Sequence, residues 1–329
     1  MSEQASLYPM LLQPVLHTRV WGGRRLETFS GHALPDARPY GESWEMHDSA
    51  VVENGVYRGQ TVRQVLDVLG TDLCGRSFNP ADGMPLLAKI LDCEDWLSVQ
   101  VHPDDALAAE LEGEPRGKTE AWIVLEARPD ARLVWGLKPG TTPEGIRATL
   151  DDGTFESLLS FADVKQGDVL FVEAGTVHAL GPGLLIYEIQ QSSDTTYRLY
   201  DWNRLGLDGQ PRALHVDKSI AVSRLDAAPK IIHPNSEDGL TVVPLLRSPF
   251  FNTTLIRARP SDTTLLMDTA GMFYILTCIA GSFAVKAANG DESLMLAQGR
   301  TALLPAAMGA YTLTAASDAS RVLMSWTDQ

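Results

Sequence analysis

Four side chains with metal-binding chemistry lie on or near predicted strands in the first part of the chain. Residues 97–101 alternate polar and apolar side chains and are rich in valine, which predicts a β-strand. Gln100 and His102 are two positions apart, so they project from the same face. Glu120 begins a second predicted strand, and His178 ends a Gly-x-x-His turn. An amide oxygen, two imidazoles and a carboxylate are a suitable ligand set for zinc or another borderline divalent ion.

A purely structural role for these residues is the competing interpretation. A lone histidine on a strand is more often a hydrogen-bonded structural residue than a ligand. The case for a site rests on the combination of Gln100 and His102 on one face with Glu120 and His178 in similar settings. Because the four residues are far apart along the chain, the sequence alone leaves their convergence open.

Other polar residues in apolar surroundings are further candidates. Glu188 lies inside an apolar predicted strand, where a carboxylate is costly unless it is paired, near a metal, or hydrogen-bonded to the backbone. Arg198 is embedded among aromatic and apolar residues. Lys118 precedes Glu120 by two positions and can share its face. Ser98 is in phase with the predicted ligands, and its hydroxyl either contacts a substrate or is satisfied within the strand.

The composition indicates a globular chain with a sizeable core. The chain has 329 residues, of which 44% are apolar, and its net charge is −15. An acidic surface argues against general binding to nucleic acid or anionic membranes, since both favour basic surfaces. We therefore expect a small molecule as partner and leave the oligomeric state open, with a monomer favoured. An anionic substrate would need a local basic site.

The cysteines and the N-terminal segment bear on the compartment. Cys74, Cys93 and Cys278 are scattered and form no C-x-x-C pair, which favours a reduced, intracellular environment. Residues 1–14 lack a cationic start followed by a long apolar run, so we predict no signal peptide. No apolar stretch has the length needed to span a membrane. We expect a cytoplasmic protein.

Strands dominate the predicted secondary structure. Helical spacing is present at 61–69 and 104–111, and a third helix begins near 142 and continues intermittently to about 161. Residues 250–315 contain several short strands separated by glycine turns, a pattern typical of a sandwich or barrel. The sequence predicts a mainly β fold with a helical insertion at about 141–163.

A weak internal repeat relates two parts of the chain. In both 167–180 and 299–313, a glycine, an apolar strand, a turn of small residues and a second strand follow in order. Aligning the first glycines sets His178 against Ala310. The second copy therefore lacks this candidate ligand, and we expect it to be structural.

Six motifs give the chain a resemblance to a known family. It resembles the type I phosphomannose isomerases in their shorter bacterial form, which are metal-dependent cupins, and the likeness covers nearly the whole chain. The motifs are Trp21-Gly22-Gly23, Gly41-Glu42-Ser43-Trp44, the run from Leu97 to Asp105, Gly117-Lys118-Thr119-Glu120, Gly175-Thr176-Val177-His178-Ala179, and the segment from Glu188 through Arg198 to Asp201.

The resemblance implies a fold of two cupin-like β-barrels, or jelly-roll sandwiches, the second of them degenerate. Residues 1–235 would form the catalytic metal-binding domain, which includes the helical insertion. Residues 236–329 would form a β domain without metal ligands.

The resemblance also implies roles for individual residues. One Zn²⁺ per chain would be bound by four ligands, and three further residues would be catalytic. Lys118 and Arg198 would contact the substrate, and Ser98 is a further candidate for such a contact because it is in phase with Gln100 and His102. The implied ligands are Gln100, His102, Glu120 and His178, and the implied catalytic residues are Arg198, Lys118 and Glu188.

The implied activity is the interconversion of mannose 6-phosphate and fructose 6-phosphate through a cis-enediol(ate). Such a reaction needs stabilisation of oxyanion charge, a base and acid to move the proton, and an anchor for the phosphate. An isomerase of another phosphorylated or free hexose is one alternative, and a non-catalytic cupin that binds a sugar phosphate is another. Intact Lys118, Glu120, Glu188 and Arg198 argue against a binding protein without activity.

Overall fold

The computed structural model describes residues 7–31, 33–227, 229–234, 241–258, 264–290 and 292–328. Within these ranges the strands form four sheets, and the helices are short. The predicted mainly β architecture is therefore confirmed. The predicted domain boundary at 235–236 lies outside the described residues.

Strands of the first part form two sheets, apart from β1 and β4. Sheet I has the order β14-β10-β7-β12-β5-β2-β3, and sheet II has the order β13-β6-β11-β8-β9. The strands are β1 (Met10–Gln13), β2 (Val15–Gly23), β3 (Tyr40–Met46), β4 (Val51–Val52), β5 (Leu86–Cys93), β6 (Val99–Val101), β7 (Glu120–Ala127), β8 (Arg132–Leu137), β9 (Leu159–Asp163), β10 (Val169–Val172), β11 (His178–Leu180), β12 (Leu184–Gln191), β13 (Tyr197–Tyr200) and β14 (Ile231–Ile232).

Strands of the last part form two more sheets. Sheet III has the order β15-β16-β23-β18-β21-β1-β4, so two strands from the beginning of the chain complete it. Sheet IV has the order β17-β22-β19-β20. The strands are β15 (Val242–Arg247), β16 (Asn252–Arg257), β17 (Thr264–Asp268), β18 (Tyr274–Ala280), β19 (Ser282–Ala287), β20 (Leu294–Ala297), β21 (Thr301–Leu304), β22 (Ala310–Ala315) and β23 (Arg321–Trp326).

Sheets I and III share one apolar core. Tyr187 and Ile189 of β12 belong to the same buried cluster as Ile275 of β18 and Leu303 of β21. The Tyr187 hydroxyl lies 3.0 Å from the hydroxyl of Ser325 in β23. Burying this much apolar surface between the sheets stabilises their association.

A buried carboxyl lies at the junction of the same two sheets. Glu45 of β3 accepts hydrogen bonds from Ser43 at 2.6 Å and from Thr301 of β21 at 3.1 Å. Thr301 is in turn 2.8 Å from the hydroxyl of Thr277. No cationic side chain in the described part of the chain pairs with this carboxyl, so two hydroxyls are its main polar partners.

The helices lie outside the sheets and have recognisable capping residues. The Thr61 hydroxyl and the Gln64 amide form a capping box at the start of α2. Asp104 caps α4, and Thr142 caps α5 with a proline at the first position. The helices are α1 (Arg25–Ser30), α2 (Val62–Leu69), α3 (Thr71–Cys74), α4 (Asp105–Glu112), α5 (Pro143–Asp152) and α6 (Val216–Val222).

The predicted helical insertion is shorter than expected. Helix α5 ends at Asp152, a 3₁₀ turn follows at Phe155–Leu158, and residues 159–163 form β9. The expectation of helical spacing up to about 161 is wrong because β9 pairs with β8 at the edge of sheet II. Edge pairing with a neighbouring strand here outweighs a local pattern that is compatible with a helix.

Two further observations concern the whole of the described chain. None of its helices combines the length and apolarity needed to cross a membrane. All three cysteines are buried free thiols, so no disulfide links the described segments.

Candidate active site

Three of the predicted ligands converge between sheets I and II. One ligand atom each from His102, Glu120 and His178 lie within 4.8 Å of one another. His178 begins β11 and His102 directly follows β6, both in sheet II, whereas Glu120 begins β7 in sheet I. All three side chains are almost completely buried. The sheets thus bring together residues that are distant in the sequence.

Gln100 lies beside this group. It is the cross-strand partner of His178, and its Nε2 is 3.4 Å from Nε2 of that imidazole. Ser98 lies 3.3 Å from the other amide atom, Oε1. Because a half turn of the amide exchanges nitrogen and oxygen within almost the same shape, Gln100 can present its oxygen to the same centre.

Two glycine turns hold the segments in place. A side chain at Gly117 would meet the backbone of Pro103 and Asp104 within 2.6 Å, so only glycine permits this close approach. The next residue, Lys118, donates its backbone N–H to the carbonyl of Pro103. Gly175, at φ +85°, donates to the carbonyl of His102 and thereby places the turn before His178 beside β6.

The protonation pattern of the two imidazoles favours cation binding. Nδ1 of His102 lies 2.9 Å from the carbonyl of Thr195, and Nδ1 of His178 lies 2.9 Å from the carbonyl of Thr176. A carbonyl only accepts, so each Nδ1 carries the proton and each Nε2 keeps its lone pair. These Nε2 atoms lie 3.6 Å and 3.3 Å from the oxygens of Glu120.

Burial keeps the two histidines neutral. Burial, together with the Lys118 ammonium and the other imidazole, holds the pKa of His102 well below its usual range. Burial lowers the pKa of His178 to about 4. Neutral imidazoles are the form that binds a metal ion.

The surroundings of Glu120 provide the test of whether a cation fits. Burial raises the pKa of Glu120 to about 7, against the opposing effect of Lys118, whose Nζ lies 3.0 Å from Oε2. Neither Glu120 oxygen has a hydrogen bond of good geometry, and Oε1 lies 3.3 Å from Nε2 of His178, which carries a lone pair. A buried carboxylate oxygen that has no hydrogen-bond partner and faces a lone pair is stabilised by a cation between them, so the residues fit a divalent metal ion.

Glu188 is held at a fixed position next to this centre. Its Oε1 lies 2.9 Å from the Lys89 ammonium, and its Oε2 accepts a hydrogen bond of 2.9 Å from the Trp122 indole. Burial alone would raise the pKa of Glu188, but Lys89 and Lys118 outweigh burial and lower it. The buried Glu188 is therefore an ionised carboxylate at neutral pH.

Lys118 lies against the centre, and Arg198 lies on a neighbouring strand. Burial would lower the pKa of Lys118, but Glu120 and Glu188 outweigh it and raise the pKa above its usual value. Arg198 of β13 is the cross-strand neighbour of Gln100 and donates from Nη1 to the carbonyl of Ala213. Both cations thus stay charged at neutral pH.

A cavity of about 600 Å³ opens over these residues. Ser98, Gln100, Lys118, Glu188 and Arg198, all candidates from the sequence, lie on its surface. His102, Glu120 and His178 lie behind this surface. Further lining residues, which sequence reasoning missed, include Arg19, Glu42, Lys89 and Arg212.

Lys89 and Trp122 are the most informative of the missed residues. Both contact Glu188 directly, through cross-strand pairs of β12 with β5 and β7. The available signal was a lysine within the otherwise apolar run of β5, which mirrors the acid within β12. A buried lysine and a buried glutamate in separate strands of like composition suggest a pair across the sheet.

The fold and the site together define a class of protein. Paired β-sheets that enclose a Gln, His, Glu and His set, open to a polar cavity, are the features of a cupin-type protein with a metal centre. Residues 10–119 match the family "Phosphomannose isomerase type I, catalytic domain".

Known proteins extend this match to nearly the full chain. The chain is 38% identical to a mannose-6-phosphate isomerase of Streptococcus mutans, over 90% of this chain and 92% of that protein. It is 35% identical to a mannose-6-phosphate isomerase of Bacillus subtilis, over 93% and 95%. The crystal structure of a Bacillus subtilis mannose 6-phosphate isomerase superposes with a TM-score of 0.83 at 29% identity, covering 96% of this chain and 99% of that one. The chain belongs to the type I phosphomannose isomerase family, which is metal-dependent.

Proposed function

We propose that this protein interconverts mannose 6-phosphate and fructose 6-phosphate as a metal-dependent aldose–ketose isomerase, through a cis-enediol(ate). The observation that carries the proposal is the ionised carboxylate of Glu188, held by Lys89 and Trp122 next to the His102, Glu120 and His178 group. A fixed base beside a cation site is what a proton transfer between adjacent carbons requires.

We assign one Zn²⁺ per chain to Gln100, His102, Glu120 and His178. Neutral imidazoles with a free Nε2, a carboxylate and an amide oxygen suit zinc by ligand type. When bound, the ion supplies a Lewis acid that stabilises negative charge on the substrate oxygens.

Glu188 is the proposed base. Its carboxylate removes the proton from C2 of the open-chain aldose and returns it to C1, while the hydroxyl proton of O2 moves to O1. The carbonyl thus passes from C1 to C2 and the ketose forms. The hydrogen bond from Trp122 and the ion pair with Lys89 fix both oxygens, so the carboxylate needs no reorganisation when it acts.

Lys118, Arg198 and Ser98 complete the assignment. Lys118 remains protonated and is placed to donate a proton to the sugar oxygens during ring opening and proton relay. Arg198 is a permanent charge facing the developing enediolate, which it stabilises without acting as the base. The Ser98 hydroxyl donates a hydrogen bond to the substrate from the same face of the cavity.

We further propose that residues 1–235 carry the catalysis and residues 236–329 carry no ligand. The three converging residues all belong to the first part, which supports this division. Three buried free thiols are consistent with a reduced compartment, and we propose a cytoplasmic protein on that basis.

The test is a coupled assay of the purified protein on mannose 6-phosphate before and after chelation, followed by addition of Zn²⁺. We expect activity that disappears with the chelator and returns with zinc. A protein that binds one equivalent of zinc but does not turn over mannose 6-phosphate would contradict the proposed substrate. A fully active chelated protein would contradict the proposed metal dependence.

A further inference from the structure

Positive charge is in excess around Arg198 and Arg212 in the cavity. Three of its cationic side chains each have their own carboxylate partner, whereas Arg212 shares Asp201 with Arg204, and Arg198 has no carboxylate contact among the described residues. Asp194 and Asp208 also line the cavity but are exposed to solvent, where charges are screened. The three pairs are Arg19 with Glu42 at 2.7 Å, Lys89 with Glu188 at 2.9 Å, and Lys118 with Glu120 at 3.0 Å.

Arg212 shares its acid with another arginine. Arg212 contacts both oxygens of Asp201, through Nε at 2.7 Å and Nη2 at 2.5 Å. Arg204 contacts the same carboxylate and also reaches Asp95 through Nη1. With Arg198 included, three arginines therefore surround one buried aspartate, so the group as a whole is positive. Repulsion from Arg212 adds to burial in lowering the pKa of Arg198.

The side-on contact with Asp201 orients the Arg212 guanidinium. Nε and Nη2 are engaged, while Nη1 has no hydrogen-bond partner among the described residues. The side chain is 23% exposed and lines the cavity, so this free edge can reach a ligand. Arg204 differs because all its nitrogens have carboxylate partners and its side chain is 14% exposed.

The backbone between Asp201 and Arg212 forms a closed hairpin. Leu205 bridges to Pro211, and Gly206 donates to the carbonyl of Gln210 at 2.8 Å. The chain therefore leaves β13 at Asp201 and returns to the same place at Arg212. This loop closure fixes the guanidinium relative to the cavity before any ligand arrives.

We infer that Arg212, positioned by Asp201, binds the phosphate of the substrate and selects phosphorylated over unphosphorylated sugars. The inference rests on the proposed function and names the residue that would set its substrate class. A guanidinium with free N–H groups in a positive, partly buried setting is well suited to a phosphate dianion. In an open-chain hexose phosphate, the phosphate and the reacting carbons are at opposite ends. Arg212 is compatible with this because it lines the same cavity as Glu188, while its described side-chain contacts are with Asp201 and not with His102, Glu120 or His178.

The test compares Arg212→Leu and Arg212→Lys with the wild-type enzyme in the zinc-loaded state. We expect Arg212→Leu to raise KM for mannose 6-phosphate by ~30-fold and the inhibition constant of inorganic phosphate by a similar factor, since a charge-assisted contact is lost. We expect kcat to change by less than ~3-fold, because Arg212 does not touch the reacting carbons. Arg212→Lys should restore part of the phosphate affinity as a point charge.

Asp201→Asn tests the positioning role. We expect a smaller rise in KM, with inorganic phosphate inhibition weakened in parallel, because the guanidinium remains but is less well oriented. Arg128→Leu, which removes an exposed arginine paired with Glu94, is the matched control and should leave KM unchanged. Thermal melting of each variant checks that it is folded, and Arg212→Lys provides a second reading if Arg212→Leu does not fold.

The outcomes separate this inference from the proposed function. If the wild type is active and Arg212→Leu keeps KM and phosphate inhibition within twofold, or loses only kcat, the inference is wrong. If the wild type is inactive on mannose 6-phosphate, the proposed function fails. Calorimetric titration of wild type and Arg212→Leu with inorganic phosphate then tests phosphate binding by Arg212 independently of turnover. Equal binding by the two proteins overturns the inference, and loss of binding in Arg212→Leu supports it.

Discussion

The two repeated units of the chain, residues 167–180 and 299–313, have the same order of backbone elements but differ in the residue at which their second strand begins. Gly167 and Gly299 both have a positive φ, of 89° and 72°, and each precedes a buried strand, β10 or β21. After a turn, β11 begins at His178 and β22 begins at Ala310, as the aligned repeat predicts. The first unit ends in an imidazole directed at Glu120, and the second ends in a methyl group.

The comparison teaches that the backbone plan alone does not make a metal site. His178 is useful because β6 and β7 bring Gln100, His102 and Glu120 around it. In the second unit, residues after Ala310 such as Tyr311 and Leu313 pack in an apolar cluster. The second unit thus contributes packing to the molecule, while the first contributes chemistry.

The largest expected effect comes from making the first unit resemble the second. We expect His178→Ala to abolish binding of one equivalent of zinc and to lower kcat/KM by more than ~10³-fold, because a ligand is lost from the centre. Metal content by mass spectrometry of the native protein, together with the coupled assay, measures both effects.

The reverse substitution is the control for that experiment. Ala310→His should add no zinc and leave activity unchanged, since the described second unit offers no partner set for a metal ion. A second equivalent of zinc in Ala310→His would show that the backbone plan is sufficient and would contradict the comparison.

The next largest effect should separate the base from the ligands. We expect Glu188→Gln to lower kcat by ~10²–10³-fold while zinc stays bound at one equivalent, because the amide cannot accept the proton. Single-turnover kinetics and metal analysis measure this. Loss of zinc in Glu188→Gln would instead place this residue among the ligands.

The buried carboxyls of Glu120 and Glu45 differ in their polar surroundings, as the two units do. Glu120 faces lone pairs and an ammonium. Among the described residues, Glu45 accepts hydrogen bonds only from the hydroxyls of Ser43 and Thr301, and burial raises its pKa to about 7. Below pH 4.5 the carboxyl is protonated in both the folded and the unfolded chain. As pH rises to about 7 it ionises first in the unfolded chain, so the free energy of unfolding falls by about 3 kcal/mol and then levels off.

Glu45→Gln should remove this dependence. We expect the variant to gain in melting temperature relative to the wild type between pH 5 and pH 8. Glu126→Gln, at an exposed position of β7, is the control and should give no such gain. A constant difference between wild type and Glu45→Gln over this range would contradict the raised pKa.

The smallest expected effect concerns Thr277 of β18, a neighbour of the second unit. Thr277→Val removes the hydroxyl 2.8 Å from Thr301, which keeps its bond to Glu45. We expect a loss of about 1 kcal/mol in unfolding free energy and no change in kcat/KM. Urea unfolding and the coupled assay measure these. A clear fall in kcat/KM with zinc still bound would mean that the C-terminal sheet acts on the chemistry.

Local patterns predicted much of this structure. Helical spacing at 61–69 and 104–111 predicts α2 and α4 close to their observed bounds, and the short strands expected within 250–315 include β16, β18, β19, β20, β21 and β22. The strands β15, β17 and β23 were missed, as was the pairing of β1 with β21. Long-range pairing depends on packing between distant segments, which no local period encodes.

Some residues of the site can be predicted from local sequence, and others depend on how distant strands pair. His102, Glu120 and His178 belong to motifs whose residue types carry the signal themselves. Lys89 and Trp122 act through contacts with Glu188 across neighbouring strands, and that register is set by the sheet as a whole. Residues that act through another residue are therefore the ones that sequence reasoning misses.

The pairing of β1 with β21 has a consequence for how the chain folds. Leu12 is the partner of Thr301, so almost the whole chain separates two neighbouring strands of sheet III. During synthesis β1 leaves the ribosome tens of seconds before its partner β21. Its apolar edge is open to other chains throughout that interval. High expression should therefore increase aggregation through the early part of the chain, and a lower expression level should raise the soluble yield.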